Sequence, residues 1–185
     1  MPLIRPQADL YPPDLLDVVA RDAGGGSWTA FYLLARREKD FMRRLQGMNI
    51  PHYGPMLAKR YRSPAGRLRT SQIPLFAGYV FVYGSRDDVA RAMTTNCVSR
   101  RLDVTNGEEL TADLRQVQRL ISTGAPLTPE ARLQPGQFVR VRGGPFVGLE
   151  GVVVKRHGET RLVVAVRFLQ QGASILLEDC ELEPA

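Results

Sequence analysis

Residues Ile73 to Val82 read IPLFAGYVFV. Phe76, Tyr79 and Phe81 stand among Leu, Ala and Val, a composition that favours a β-strand. Gly78 interrupts the run, and a glycine inside a strand marks a bulge or the close approach of another backbone. Just upstream lies KRYRSPAGRLR, Lys59 to Arg69, with five cations, one tyrosine and the breaker pair Pro64 and Gly66. The pattern predicts a charged loop over Lys59–Thr70, then a strand over Ile73–Tyr83. Within that strand Phe81 shares the face of Tyr79, two residues away.

The chain has 185 residues, enough for one medium domain or two small ones, and 44% of them are hydrophobic, enough to bury a core. No apolar run is long enough for a membrane helix. The first residues, MPLIRPQADLYPPDLL, carry Pro and Asp where a secretion signal needs a continuous apolar stretch. Cys97 and Cys180 form no CxxC pair, which fits a reducing cytoplasm. With His52 and His157 the only histidines, a metal centre or a Ser/His/Asp triad has few possible parts. No P-loop, GxSxG or HExxH is present. The expectation is a cytoplasmic protein that is not an enzyme and uses no cofactor or metal.

The net charge of +6 is unevenly spread: residues 1–26 carry −2, residues 27–124 carry +8, and residues 125–185 are neutral. A basic middle beside a neutral end suggests contact with nucleic acid, or with something that holds it; a solvated basic surface is the plain alternative.

Residues 1–26, with Pro12–Pro13 and Gly24–Gly26, are expected to be a flexible extension. Residues 27–122 alternate strands and helices. Trp28–Ala35 reads as a strand, and Phe41, Met42, Leu45 and Met48 recur at helical spacing. Pro51–Met56 is at best a brief strand. Ser85 with Asp88 starts a second helix through Met93, and CVSRRLDV, from Cys97, is a third strand. Thr111 caps a third helix with Leu114, Val117, Leu120 and Ile121 on one face. The acid pairs Asp87/Asp88 and Glu108/Glu109 read as helix-start or turn charges. Residues 123–135, rich in Pro and Gly, read as a linker. From 136 to 185 short β runs alternate with turn residues, the pattern of a small barrel. The fold class is therefore α+β: helices packed on a mostly antiparallel sheet, then a small β-barrel.

Two motifs carry a resemblance. GxxVRVxxGPFxGxxG, Gly136 to Gly151, resembles the KOW motif of small SH3-like barrels. PLFAGYVFV, Pro74 to Val82, resembles the PLFPGYVFV of the NusG family's N-terminal (NGN) domain at eight of nine positions, with Ala77 where the family usually has Pro. FYLLARREK, YGPM and CVSRRLDV fall in the family's order, with Cys97 in place of a Gly and Leu102 in place of an aromatic. The chain is thus identified as a member of the NusG family, an NGN-type α/β sandwich joined to a KOW barrel, over residues 28–185.

The resemblance implies a transcription factor that modulates elongation, pausing, termination or antitermination. Tyr32, Phe76, Gly78, Tyr79 and Phe81 would form the face that seats the clamp helices of RNA polymerase, with Phe76 and Tyr79 exposed as anchors. Arg36, Arg37, Lys59, Arg60, Arg62, Arg67 and Arg69 would lie near nucleic acid, DNA or RNA, with Tyr61 placed to stack on a base. Lys39, Arg43 and Arg44 extend the same basic helix side. Gly144, Pro145, Phe146 and Gly148 would present a loop to a second partner, a termination factor or a ribosomal protein. The extension and Ala77 suggest a specialised paralogue resembling RfaH, acting as a monomer. The β-branched runs Val152–Val154 and Val163–Val166 favour a barrel with no switch to helix. The alternative is a KOW protein that binds RNA or the ribosome.

Overall fold

The central strand of the first unit is β6 (Tyr79–Gly84), whose residues Val80 and Val82 face one layer of core and whose Phe81 faces the other. The computed structural model describes residues 8–21, 25–178 and 180–185. Contacts divide the chain into two compact units, Met1–Gly107 and Glu108–Ala185.

The first unit runs β1 (Leu10–Tyr11), α1 (Leu15–Arg21), β2 (Ser27–Leu33), α2 (Glu38–Gly47), β3 (His52–Tyr53), β4 (Met56–Arg62), β5 (Leu68–Pro74), β6 (Tyr79–Gly84), α3 (Arg86–Met93) and β7 (Val98–Asp103). Five strands form an antiparallel sheet in the order β1-β3-β6-β2-β7, and β4 and β5 pair separately. Directly opposed residues share a face of a sheet. Phe31 with Val80, and Val82 on the same strand, lie in one core with Phe41, Met42 and Leu45 of α2 and Val89 and Ala92 of α3. Helix α3 starts as its sequence predicts. The Asp88 N–H donates to Ser85 Oγ at 3.2 Å, and the Ser85 N–H donates to Asp88 Oδ2 at 2.9 Å. The Ser85 N–H and the Ser85 hydroxyl, which both donate to Asp88 Oδ2 at 2.9 Å, hold the Asp88 carboxyl below the usual carboxylate range.

The opposite face carries the row Leu10, Tyr53, Phe81 and Ala30, cross-strand neighbours that are all buried. Phe81, expected with Tyr79 on a binding face, is therefore a core residue. Phe76 is only 1% exposed, so the expected surface anchor also lies inside. For Phe81 the reason is that this sheet is buried on both faces, and period-two spacing does not distinguish a wet face from a dry one; Phe76 lies outside the sheet, in the turn between β5 and β6.

Part of the expected flexible extension is structured. β1 pairs with β3, the Gly54 N–H donates to the Asp9 carbonyl at 2.8 Å, and the Met56 N–H donates to Asp9 Oδ2 at 3.2 Å. Tyr11 donates to Asn49 Oδ1 at 3.0 Å, and Leu15 and Leu16 are buried. Residues 1–7 and 22–24, the rest of that extension apart from Gly25 and Gly26, lie outside the described residues.

The Tyr11 ring also stacks on His52, centroids 5.8 Å apart, and His52 has no exposed surface. Its Nδ1 lies 2.9 Å from the Ile50 carbonyl, so Nδ1 carries the hydrogen, and Nε2 has no hydrogen-bond partner among the described residues. Burial holds this imidazole below its ordinary pKa, against the Ile50 bond, which works the other way. A group depressed in the folded state takes up a proton on unfolding. Its contribution to stability is complete above the ordinary imidazole pKa and is lost as the pH falls below it. We expect the melting temperature of the first unit to decline from about pH 7 to about pH 5.5, and His52→Phe to flatten that decline. An equal slope in the variant would remove His52 from this account.

The second unit runs α4 (Gly107–Ser122, from its second residue), β8 (Thr128–Glu130), β9 (Gln137–Val141), β10 (Glu150–Arg156), β11 (Glu159–Val166), β12 (Gln171–Leu176) and β13 (Leu182–Pro184). Its strands form one antiparallel sheet in the order β13-β9-β10-β11-β12-β8. Val139 and Val141 are buried while Phe138, opposite in phase, is 49% exposed. The third helix begins at Gly107, not Thr111, and contacts group it with the β module. Asp113 of α4, itself buried, accepts from the Arg167 guanidinium at 2.8 Å and from the Arg167 N–H at 2.9 Å.

The segment read as a linker contains β8, which pairs with β12. Glu130 is buried there and accepts from Arg156 at 2.9 Å and from the Ser174 hydroxyl at 2.6 Å. These bonds offset the desolvation of its carboxylate. Three prolines in the segment, Pro126, Pro129 and Pro135, hid this strand, and one of them, Pro129, lies within it opposite Ala173.

Candidate functional site

Gly78 is the pivot of the aromatic strand. The Tyr79 N–H donates to the Phe76 carbonyl at 3.0 Å, and Gly78 has φ +82°. Positive φ at the third position defines a type II turn. The expected single strand Ile73–Tyr83 is therefore two strands, β5 and β6, joined by this turn. Ala77 occupies the second position, where proline would pre-set φ; alanine leaves the unfolded chain freer by about 0.4–1 kcal/mol. The Gly78 N–H donates to Glu38 Oε1 at 2.8 Å, and its carbonyl accepts from the Leu33 N–H at 2.8 Å.

A Cβ on Gly78 would lie 2.9 Å from the Tyr32 ring. The turn thus lets Tyr32 and Tyr79 pack together, centroids 5.0 Å apart, with Arg100 5.7 Å from the centre of the Tyr32 ring. Both tyrosines are half-buried, and Arg100 is exposed. This cluster is what remains at the surface of the aromatic set read from the sequence: Tyr32, Gly78 and Tyr79 come together, while Phe76 and Phe81 do not join them. Glu38 and Arg100 were not singled out from the sequence. Glu38 lies in a run of charges at a helix start, and no local pattern announces a partner at Gly78. Gly78→Ala is expected to cost at least about 1–2 kcal/mol, since the left-handed backbone disfavours a side chain and Tyr32 must move. Urea unfolding measures it; a change within about 0.5 kcal/mol would contradict this reading of the turn.

The basic segment is a β-hairpin, not a loop. Met56–Arg62 and Leu68–Pro74 pair in continuous register, closed by Pro64, Ala65 and Gly66. The Gly66 N–H donates to the Ser63 carbonyl at 2.8 Å, and the Ser63 N–H donates to the Arg67 carbonyl at 2.9 Å. Proline suits the second position of such a turn, and a left-handed glycine (φ +74°) completes a three-residue hairpin loop. The root is anchored by Met56 and Leu75, both buried. The outer part has no core of its own. Lys59, Arg60, Arg62, Arg67 and Arg69 are exposed there, and among the described residues none is in an ion pair. From Phe41 to Arg86 the chain has no Asp or Glu at all.

The helix cations differ. Asp40 sits among them and pairs with Arg37 at 3.3 Å, Arg44 at 3.3 Å and Arg43 at 3.7 Å. Against a desolvation that pushes it up, Arg44 and Arg37 hold the Asp40 carboxyl below its usual range. Arg36, with φ +62°, and Lys39 are exposed beside this cluster.

In the β module the glycine loop repeats the chemistry of the first turn. The Leu149 N–H donates to the Phe146 carbonyl at 3.1 Å, with Gly148 at φ +84°. Phe–Val–Gly–Leu here and Phe–Ala–Gly–Tyr above are the same turn type. Phe146 is half-buried, Gly144 and Pro145 are exposed, and Val147 is 62% exposed. Val147 is thus an exposed apolar side chain of the loop, which the sequence pattern passes over because its motif position is unspecified.

The described residues thus hold an aromatic patch on an antiparallel α/β unit, a cationic hairpin and a small β module. The family model described as "Transcription termination factor nusG" matches residues 26–121, and the KOW motif matches residues 135–166. The chain is 26% identical over 130 residues to the transcription termination/antitermination protein NusG of Escherichia coli (strain K12), and equally to those of Salmonella typhi and Shigella flexneri. That match covers 65% of this chain and 70% of each relative. The chain belongs to the NusG family.

Proposed function

We propose that this protein is a transcription elongation and termination or antitermination factor that works by binding, not by catalysis. The first unit docks on the clamp helices of RNA polymerase through Tyr32 and Tyr79, steadied by Gly78. The β module recruits a second partner through the Gly144–Gly148 loop, with Val147 and Phe146 as its apolar contacts. The hairpin cations meet nucleic acid beside the transcribing enzyme. The observation that carries the reading is the Tyr32–Tyr79–Arg100 cluster: aromatic anchors at the surface of a NusG-family domain, backed by a turn that holds them. Among the described residues no helix is long and apolar enough to cross a membrane, in keeping with work in the cytoplasm.

A second reading has specific support. Burial of Phe76 and Phe81 shrinks the apolar face, and unpaired hairpin cations suit RNA, so a KOW-type RNA- or ribosome-binding protein is the competitor. Purified full-length chain added to core polymerase separates them. The proposal expects co-elution with the enzyme and altered pause lifetimes on a naked DNA template. Co-sedimentation with ribosomes and no retention on polymerase would favour the competitor.

A further inference from the structure

We propose that the outer edge of β12 is a docking site for an extended acidic segment of a partner protein, and that the chain's own Thr128–Glu130 fills it until such a segment arrives. The site goes beyond the reading above, because it is a strand edge and not the Gly144–Gly148 loop. β8 runs antiparallel to β12, with Thr128 opposite Ser174, Pro129 opposite Ala173 and Glu130 opposite Gly172. Polar side chains hold it. Thr128 Oγ1 accepts from Arg161 Nη2 at 2.9 Å, and Glu130 accepts from Arg156 at 2.9 Å and from the Ser174 hydroxyl at 2.6 Å. Arg161 also donates to Ser174 Oγ at 3.0 Å and pairs with Glu159 at 3.2 Å. Directly opposed residues share a face, as do residues two apart on one strand. Val163 opposes Ser174, and Arg156 opposes Glu159, so Arg156, Arg161 and Ser174 stand on the face where Thr128 and Glu130 arrive. That face reads a hydroxyl, then one unread residue, then a carboxylate.

The occupant is lightly held. Within β8 only Glu130 is buried, while Thr128 and Pro129 are exposed. A strand that buries no apolar side chain belongs to the least stable parts of a fold. The pairing is also incomplete. β12 runs Gln171–Leu176, yet its pairing with β8 stops at Ser174. Extended by two positions, the register would set Leu127 opposite Ile175 and Pro126 opposite Leu176, and proline has no N–H for a ladder. An incoming strand free of proline would gain those pairs. Strand addition draws affinity from the main chain and specificity from alternate side chains. The partner segment is therefore a run of strand-forming residues with Ser or Thr two positions before Glu. A tethered segment has an effective concentration in about the millimolar range, so an incoming strand binds weakly until the tethered one is loosened.

The test titrates full-length protein into the fluorescein-labelled peptide GAVLTVEAR, the sequence of residues 124–132 with valine for both prolines, and reads anisotropy. Glu130→Gln keeps the shape of the tethered segment and removes its charge. This variant is expected to bind the peptide at least about 10-fold more tightly than the wild type does. Replacing the glutamate of the peptide by glutamine should weaken that binding by about 10-fold, and so should adding Arg156→Gln to the variant protein. Thr128→Ala loses only the Arg161 bond and leaves the buried carboxylate paired. It should tighten peptide binding by a smaller factor, so the test does not depend on one variant. The peptide should also raise the melting temperature of Glu130→Gln more than that of the wild type. Equal binding of the glutamate and glutamine peptides, or no gain in affinity in either Glu130→Gln or Thr128→Ala, would overturn the proposal. So would a concentration-dependent dimer of Glu130→Gln that the peptide fails to dissociate, which would assign the edge to a second copy of this chain.

Discussion

Phe76→Ala is expected to destabilise the first unit by about 3–5 kcal/mol. Phe76 is 1% exposed, and removing its ring leaves a cavity that a type II turn pinned by Gly78 and Glu38 cannot collapse to fill. Small domains are held by only about 5–15 kcal/mol, so the variant would lose a large share of its margin. Trp28, the single tryptophan, is buried in the same unit and reports on it directly in urea. A loss below about 1 kcal/mol would mean that Phe76 is not a core residue. Phe81→Ala should behave alike. Neither variant can test a binding surface, because each changes how much protein is folded.

Tyr32→Ala combined with Tyr79→Ala is expected to lower affinity for RNA polymerase by about 30-fold or more, the size of an interface hot spot. Both rings are partly exposed, so folding should suffer less than in Phe76→Ala, and a urea melt serves as the control. Arg100→Ala should add a smaller loss, because it removes a cation held over Tyr32 and leaves the rings in place. Surface plasmon resonance on immobilised core enzyme measures all three. Undiminished binding by the folded double variant would move the docking surface elsewhere.

Features coded locally were legible in the sequence. Ser85 and Asp88 are three residues apart and cap their own helix, and Val139 and Val141 alternate with Phe138 as a half-buried strand should. The order of the two modules was also readable, whereas the aromatic run reads as one strand and is two joined by a turn. What escaped the sequence depends on distant partners. The burial of Phe81 follows from neighbours on β2 and β3, and Gly78 meets Glu38 across 40 positions. The hairpin was read as a loop because its charged, polar side chains suit solvent on both faces and leave no alternation to detect. Its pairing is set by the turn at Ser63–Arg67. Asp9 bonds to Met56, and Glu130 to Arg156 and Ser174, which orders segments whose prolines and glycines suggest disorder.

The central claim is that the turn at Gly78 presents Tyr79 to RNA polymerase. Site-specific photocrosslinking tests it most directly, with a photoreactive phenylalanine analogue at position 79 and, as reference, at the exposed position 147 of the β module. Mixed with core polymerase, the probe at 79 is expected to label the clamp helices, while the probe at 147 leaves them unlabelled. No polymerase adduct from position 79, with the probe-bearing protein folded, would contradict the account.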